Sequence, residues 1–373
     1  MTVSYDSIIV GGGIVGLSIG WRACQLGLSV LVLDRSASPN AASAVAAGML
    51  APVTEATFGE DALLRLNLES AHRWPAFAEE LSFSAGLHLA DHPPGILHVA
   101  LDRDQAEALR RLFDHQQSLG LQVEWLSSIA CRRLEPGLHP SARSGIFAGD
   151  DAAVDPRRVV EALEISLRAG PAEVRRGDEV VEVMSGANPG VRLAGGEVIS
   201  AGSVVIAAGP WSGRLAGVPP FMARAIRPVK GQILRLRPTA AQPVPLRHVL
   251  RTEDAYLVPR PDGEVVLGAT VEEKGFDTSV TAGGVLELLR AGDELLPGIR
   301  EMEVVEVSAG LRPGTPDNAP LLGRIAEGLI AATGHYRNGV LLAPVTADGI
   351  AELLAKGELP EELAGFDPMR FAT

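Results

Sequence analysis

Two groups of residues in this chain have types and spacings that do chemistry. The first is Gly11, Gly13 and Gly16 of a G-x-G-x-x-G run, followed by Asp34 at the end of the next apolar stretch. Each glycine acts mechanically. Gly11 makes the tight turn, Gly13 lets backbone approach a pyrophosphate, and Gly16 lets the following helix lie close on the strand. The helix start then offers phosphates its N–H groups and positive dipole end, while a carboxylate at Asp34 accepts from ribose hydroxyls. That is dinucleotide chemistry. The second is Arg312, which follows a β-branched run and precedes Pro313-Gly314. A guanidinium there presents a planar fork that grips a carboxylate through two parallel hydrogen bonds and keeps its charge when partly buried.

These groups need elements to hold them. Ile8-Ile9-Val10 predicts a strand, Ile14 to Leu26 a helix stopped by Gly27, and Ser29 to Asp34 a second strand, which completes a βαβ unit. Gly16-Leu17-Ser18-Ile19-Gly20 also matches the G-x-S-x-G nucleophile motif, but Ser18 falls inside the helix and is rejected as a nucleophile. The sheet begun here gains further short strands only at Val204 to Gly209 and Leu329 to Gly334. Between them lie strands of another character, Gly95 to Leu101, Gly231 to Arg237 and a hairpin from Ala255 to Thr270 turning on Pro261-Asp262-Gly263. The expected fold is α/β (α+β), a Rossmann-like domain interleaved with an antiparallel-sheet domain. Residues 1–85, 142–220 and 325–373 are assigned to the nucleotide domain, and 86–141 and 221–324 to a substrate domain. Interleaving favours FAD over NAD, with the flavin ring at the seam, where pockets form.

Composition limits the partners. The 373 residues are 46% apolar with a net charge of −13, which repels nucleic acid and anionic membranes, so an anionic ligand must meet a local cluster of positive charge. Aromatic content of 4% argues against a base-stacking or sugar-binding platform. No apolar run approaches the ~18 residues of a membrane span, no signal peptide is read, and the isolated thiols Cys24 and Cys131 fit a cytoplasmic location. His88, His92 and His98 share no evident face, so no metal is expected. Asp102 to Leu119 and Val285 to Leu296 have the pattern of solvated amphipathic helices.

Three further segments carry a resemblance: Ala46-Ala47-Gly48-Met49-Leu50-Ala51-Pro52, Ala309 to Thr315, and Gly334-His335-Tyr336-Arg337-Asn338-Gly339-Val340-Leu341 with its continuation to Pro344. With Ala208 to Ser212 and Val229-Lys230-Gly231, they resemble the D-amino-acid oxidase superfamily of glutathione-reductase-like flavoenzymes, and within it the glycine-oxidase branch of thiamine biosynthesis. The resemblance implies non-covalent FAD contacted by Ile14, Val15, Asp34, Arg35, Ala42, Ser43, Ala47, Gly48, Met49, Val180 and His335 to Leu341, that is His335, Tyr336, Arg337, Asn338, Gly339, Val340 and Leu341. It implies that Arg312 and Arg337 bind substrate, that Tyr256 assists through its hydroxyl, and that Met49 walls the pocket.

The activity so implied is oxidation of glycine or another small amino acid, using O₂ and releasing an imine, with a homotetramer as the family's frequent assembly. Asp254 and Val271 depart from the histidine and methionine often found at those positions. Glycine, sarcosine and small D-amino acids therefore remain open as substrates, as does an electron acceptor other than O₂. A tRNA-modifying flavoprotein is the alternative of another class, and the negative charge opposes it.

Overall fold

Short runs of aliphatic residues with no polar alternation demand burial on both faces, and here they form one mostly parallel sheet. The computed structural model describes residues 5–35, 41–89, 95–239 and 246–372, so His92 lies outside the described residues. The Tyr5–Val10 strand sits at the centre, paired in parallel with Val30–Asp34 on one side and Val198–Ile206 on the other. Glu173–Arg176 and Leu329–Thr333 extend the parallel order outward, and Leu321–Ala326 closes one edge antiparallel. Val180–Met184 and Gly190–Leu193 branch from Val198–Ile206 as an antiparallel flap.

Alternate side chains of the same strands enter different cores. Ile9, Val32 and Val205 pack against helices Ile14–Gln25, Asp61–Ala85, Pro156–Ala169 and Ala343–Lys356, through Leu17, Trp74, Leu163 and Ile350. Ile8, Leu31 and Val204 face the other way, onto Val191, Phe221 and Met222. Each fully buried aliphatic side chain contributes about 1.5–3 kcal/mol relative to exposure. The first helix runs Ile14–Gln25 and ends at Gly27 with φ +85°, as its glycine predicts.

The second sheet has the strand order Glu303–Gly314, Arg227–Arg237, Val265–Gly268, Tyr256–Pro259, Val249–Arg251, Ile96–Ala100, Ser144–Ala148 and Glu124–Ser127. It is antiparallel except where Val249–Arg251 meets Ile96–Ala100. Helices Arg103–Ser118 and Ala282–Leu295 pack on it at the expected places. Two strands lie close to the segment edges read from sequence. Ser144–Ala148 hydrogen-bonds within the second sheet, beyond the edge at 141, and Leu321–Ala326 joins the first sheet before 325. Ser144–Ala148 is placed by Ile96–Ala100, far back in the chain, whereas Leu321–Ala326 is held as a hairpin by the next strand, Leu329–Thr333. Among the described residues no helix is long and apolar enough to cross a membrane, and no cluster of metal-ligating side chains forms.

Candidate active site

Val10, Asp34, Ala207 and Thr333, at or just beyond the carboxyl ends of the parallel strands, open onto one cleft of about 660 Å³. Ligands bind at this edge of open α/β sheets, and the volume suits a site for a molecule of cofactor size, typically ~300–1,000 Å³. Its opposite wall comes from the second sheet, through Gly231, Ile233, Tyr256 and Gly310 to Pro313.

The nucleotide side is built largely of backbone. Gly11 has φ +115°, and a Cβ there would lie 2.4 Å from the Ala207 carbonyl oxygen. A Cβ on Gly16 would lie 2.0 Å from the Gly11 oxygen, so helix and strand approach closely only because it is absent. Ile14 N–H donates to Ser43 Oγ at 3.0 Å, and Gly12 N–H donates to Asp34 Oδ2 at 2.6 Å. Arg176 lies 3.3 Å from Asp34 Oδ1 and donates to the Gly12 carbonyl at 2.9 Å, fixing the carboxylate at the cleft. Arg35 lies over the Trp211 ring at 3.9 Å, and both line the cleft.

The opposite wall is built of side chains seated on glycines. Arg312 stands on Glu303–Gly314, opposite Val229 of Arg227–Arg237, and its guanidinium lies across Gly231, where a Cβ would come within 2.3 Å of Nη1. Nη1 donates to the Thr270 carbonyl at 3.1 Å and the Lys230 carbonyl at 3.4 Å, which fixes the fork. Tyr256 lies over Gly268 in the same way, with a notional Cβ 2.5 Å from its hydroxyl oxygen. Burial raises the Tyr256 pKa above its ordinary value, and the Arg312 guanidinium opposes that rise. The phenol is therefore a protonated donor at neutral pH.

The turn after Leu329–Thr333 supplies the remaining wall. His335 is buried with Nε2 3.1 Å from Thr346 Oγ1, and burial pushes its pKa down to about 3, so the imidazole is neutral. Tyr336 has φ +47°, uncommon for a bulky residue, and its N–H donates to the Pro313 carbonyl at 3.0 Å, joining this turn to the Arg312 strand. Arg337 is exposed at the cleft, its guanidinium 5.4 Å from the Tyr336 ring.

Of the site residues read from sequence, Gly11, Gly13, Ile14, Val15, Asp34, Arg35, Ala42, Ser43, Ala47, Gly48, Met49, Val180, Tyr256, Arg312, His335, Tyr336, Arg337, Gly339 and Val340 line the cleft. Three do not. Gly16 spends its small size on helix packing. Asn338 donates to the His335 carbonyl and accepts from Leu342 N–H, within the turn that leads into the last α-helix. Leu341 is buried in the helical layer, its carbonyl accepting from Trp74 Nε1 at 2.8 Å and Ser70 Oγ at 2.6 Å. Asp254 and Val271, the two departures, are also absent from the lining.

Glu55, Arg214, Phe276 and Thr278 line the cleft as well, and sequence reasoning misses them. Glu55 sits 3.3 Å from Arg251. Phe276 and Thr278 belong to the loop before Ala282–Leu295, which Lys230 Nζ anchors through Asp277 Oδ2 at 2.7 Å. Nothing local in the sequence marks them.

A family of FAD-dependent oxidoreductases, DAO, matches residues 6–353. The chain is 33% identical over 375 residues to a glycine oxidase of Geobacillus kaustophilus, covering 99% of this chain and 98% of that protein. A crystal structure of glycine oxidase from Geobacillus kaustophilus superposes with a TM-score of 0.91 at 31% identity, covering 99% of each chain. A bifunctional ThiO/ThiG protein of Synechocystis is 34% identical across the whole of this chain, which spans 55% of that longer protein. A dinucleotide cradle facing a seated arginine fork, matched over nearly the full length, shows that the chain belongs to the DAO family of FAD-dependent oxidoreductases.

Proposed function

We propose that this enzyme oxidises glycine, and small relatives such as sarcosine or D-alanine, with non-covalently bound FAD and O₂. Glycine, O₂ and water give glyoxylate, ammonia and H₂O₂, by way of an imine that water hydrolyses or that enters thiazole assembly for thiamine. The carrying observation is the Arg312 fork over Gly231 beside a protonated Tyr256, on the wall facing the dinucleotide cradle. A cytoplasmic location and the homotetramer that the resemblance implies belong to the same reading; both cysteines are free thiols.

FAD supplies the two-electron acceptance and the reaction with O₂, chemistry that no side chain offers. The protein's part is orientation. Arg312 pairs with the substrate carboxylate, and its ties to the Thr270 and Lys230 carbonyls hold that anion in one place. Tyr256 donates a further hydrogen bond, and Met49 limits the space beside it, favouring a small side chain. Fixing Cα within about 3–3.5 Å of its reaction partner is where acceleration arises. Neutral His335 is bonded to Thr346 and is left as a wall rather than a base, and neither cysteine lines the cleft, which supports non-covalent attachment.

The test is peroxide and glyoxylate release by the FAD-loaded protein in air with glycine, sarcosine and D-alanine in turn. Equal amounts of peroxide and glyoxylate from glycine are expected. Turnover only with an added dye would replace O₂ by another acceptor, and no turnover with any of the three would overturn the proposal.

A further inference from the structure

Arg260 is a buried guanidinium that the proposed chemistry leaves unused. Only 6% of the residue is exposed, and among the described residues no carboxylate lies within ion-pair distance of it. Its neighbours differ in this respect: Arg235 is paired with Glu264 at 2.6 Å and Arg157 with Glu306 at 2.7 Å. A buried cation is costly unless its hydrogens are well used. Arg260 uses two of its nitrogens on backbone carbonyls, with Nη2 donating to Ala47 at 2.7 Å and Nη1 to Val154 at 2.8 Å, while Nε is buried without a partner among the described residues.

The first of those carbonyls belongs to the cleft wall, and the second to the backbone packed behind it. Ala47, Gly48 and Met49 all line it, yet the segment has little structure of its own, only a four-residue helix at Ala42–Val45 and the two-residue strand Met49–Leu50 paired with Ala152–Ala153. Gly48 has φ +77°, and a Cβ on it would fall 2.0 Å from the Val154 oxygen, so the two backbones lie nearly in contact. Val154 N–H donates to the Gly48 carbonyl at 2.8 Å, and Arg260 then spans both chains from outside. Arg260 itself follows the Tyr256–Pro259 strand, and its N–H donates to the Glu264 carbonyl at 2.7 Å in the tip of the hairpin. One hairpin therefore delivers a hydroxyl to the substrate wall and a fork to the flavin wall.

We propose that Arg260 is a positioning residue, a clasp between the Tyr256–Gly268 hairpin and the paired Met49–Leu50 and Ala152–Ala153 segments, which sets the Ala47–Met49 wall in register with Tyr256 and so with bound substrate and FAD. The role in FAD placement rests on the proposed function only for its kinetic consequence. Methionine in its place would fill much of the volume and make neither carbonyl bond, and lysine would keep the charge but lose the two-pronged reach.

The experiment compares wild type, Arg260→Met and Arg260→Lys by FAD dissociation constant, flavin absorption band shape, and amide hydrogen exchange, all without substrate, then by kcat and KM for glycine. For Arg260→Met, FAD affinity should fall about tenfold, the loss of one good interaction. Exchange across residues 44–50 should quicken by at least about tenfold while the Tyr5–Val10 strand stays protected, since local opening reports local stability. The flavin band should shift, and kcat should fall about tenfold or more with KM changing by less than about threefold, the mark of lost alignment rather than lost substrate binding. Arg260→Lys should lie between the two. Unchanged FAD affinity and unchanged exchange at 44–50 would overturn the proposal, as would faster exchange spread uniformly over the molecule. Should Arg260→Met fail to fold, Arg260→Lys decides by the same readouts. A wild-type protein that no amino acid reduces would defeat the proposed function while leaving the affinity and exchange results to stand or fall alone.

Discussion

The two walls of the cleft solve opposite problems with the same residue type. On the nucleotide side, glycine removes side chains so that backbone can meet backbone, as at Gly11 against Ala207 and Gly16 against Gly11. On the substrate side, Gly231 and Gly268 remove side chains so that other side chains, Arg312 and Tyr256, can lie flat on the sheet. The first arrangement centres on one βαβ unit, which Ala207, Ser43 and Arg176 reach from outside. The second draws on four strands. A cradle made of backbone is local and rigid, whereas a seat made of side chains is assembled only when the whole sheet forms.

That contrast can be broken by substitution. The largest effect should come from Gly16→Val, because a Cβ already has no room against the Gly11 oxygen; FAD binding and soluble yield should both collapse, checked by flavin content after purification. Next, Arg312→Met should leave a yellow protein whose KM for glycine rises about 100-fold, in line with ~1.5–3 kcal/mol per hydrogen bond to a charged group. An unchanged KM would remove Arg312 from the seat. Gly231→Ala should imitate that change more weakly, about tenfold in KM, since the obstructing atoms are the far end of a side chain that can shift. Asp34→Asn should have the converse signature, FAD affinity reduced about tenfold with KM for glycine unaltered, read by fluorescence titration.

The last effect concerns stability against pH and leaves catalysis at neutral pH untouched. His335 has its folded pKa depressed to about 3 by burial, against an ordinary value of 6.5. The unfolded chain therefore binds a proton first, so the stability due to this site is fully present above about pH 6.5 and is lost as pH falls toward 3. The loss should reach a few kcal/mol at the acid end, on the order of one pKa unit per ~1.4 kcal/mol. His335→Asn should flatten the acid limb of the urea midpoint plotted against pH.

Legibility in the sequence follows the same division. Gly11, Gly13, Gly16, Asp34 and the helix stop at Gly27 are close in the chain, and their physics is local, so the first strand, helix and second strand can be read directly. Arg312 is visible as a fork at a strand end, but the carbonyls that hold it, those of Thr270 and Lys230, lie 42 and 82 positions away, and Gly231 beneath it is as distant. The order of the second sheet, the membership of Ser144–Ala148 in it and the reach of Phe276 into the cleft depend on such distant pairing. Leu341 and Asn338 show the reverse limit: the resemblance implies ligand contact along a continuous stretch, whereas the turn buries the Leu341 side chain in the helical layer and ties the Asn338 backbone within itself, detail that the stretch alone does not show.

Substrate bound at Arg312 should deliver electrons to FAD held by the opposite cradle. The most direct test is to mix the FAD-loaded protein with increasing glycine under anaerobic conditions and follow the flavin absorbance. Bleaching that saturates with glycine in the wild type, and that in Arg312→Met requires about 100-fold more glycine for the same rate, is the predicted result. A flavin that stays yellow in the wild type with glycine, sarcosine and D-alanine alike, or one that bleaches equally readily without the arginine fork, would contradict it.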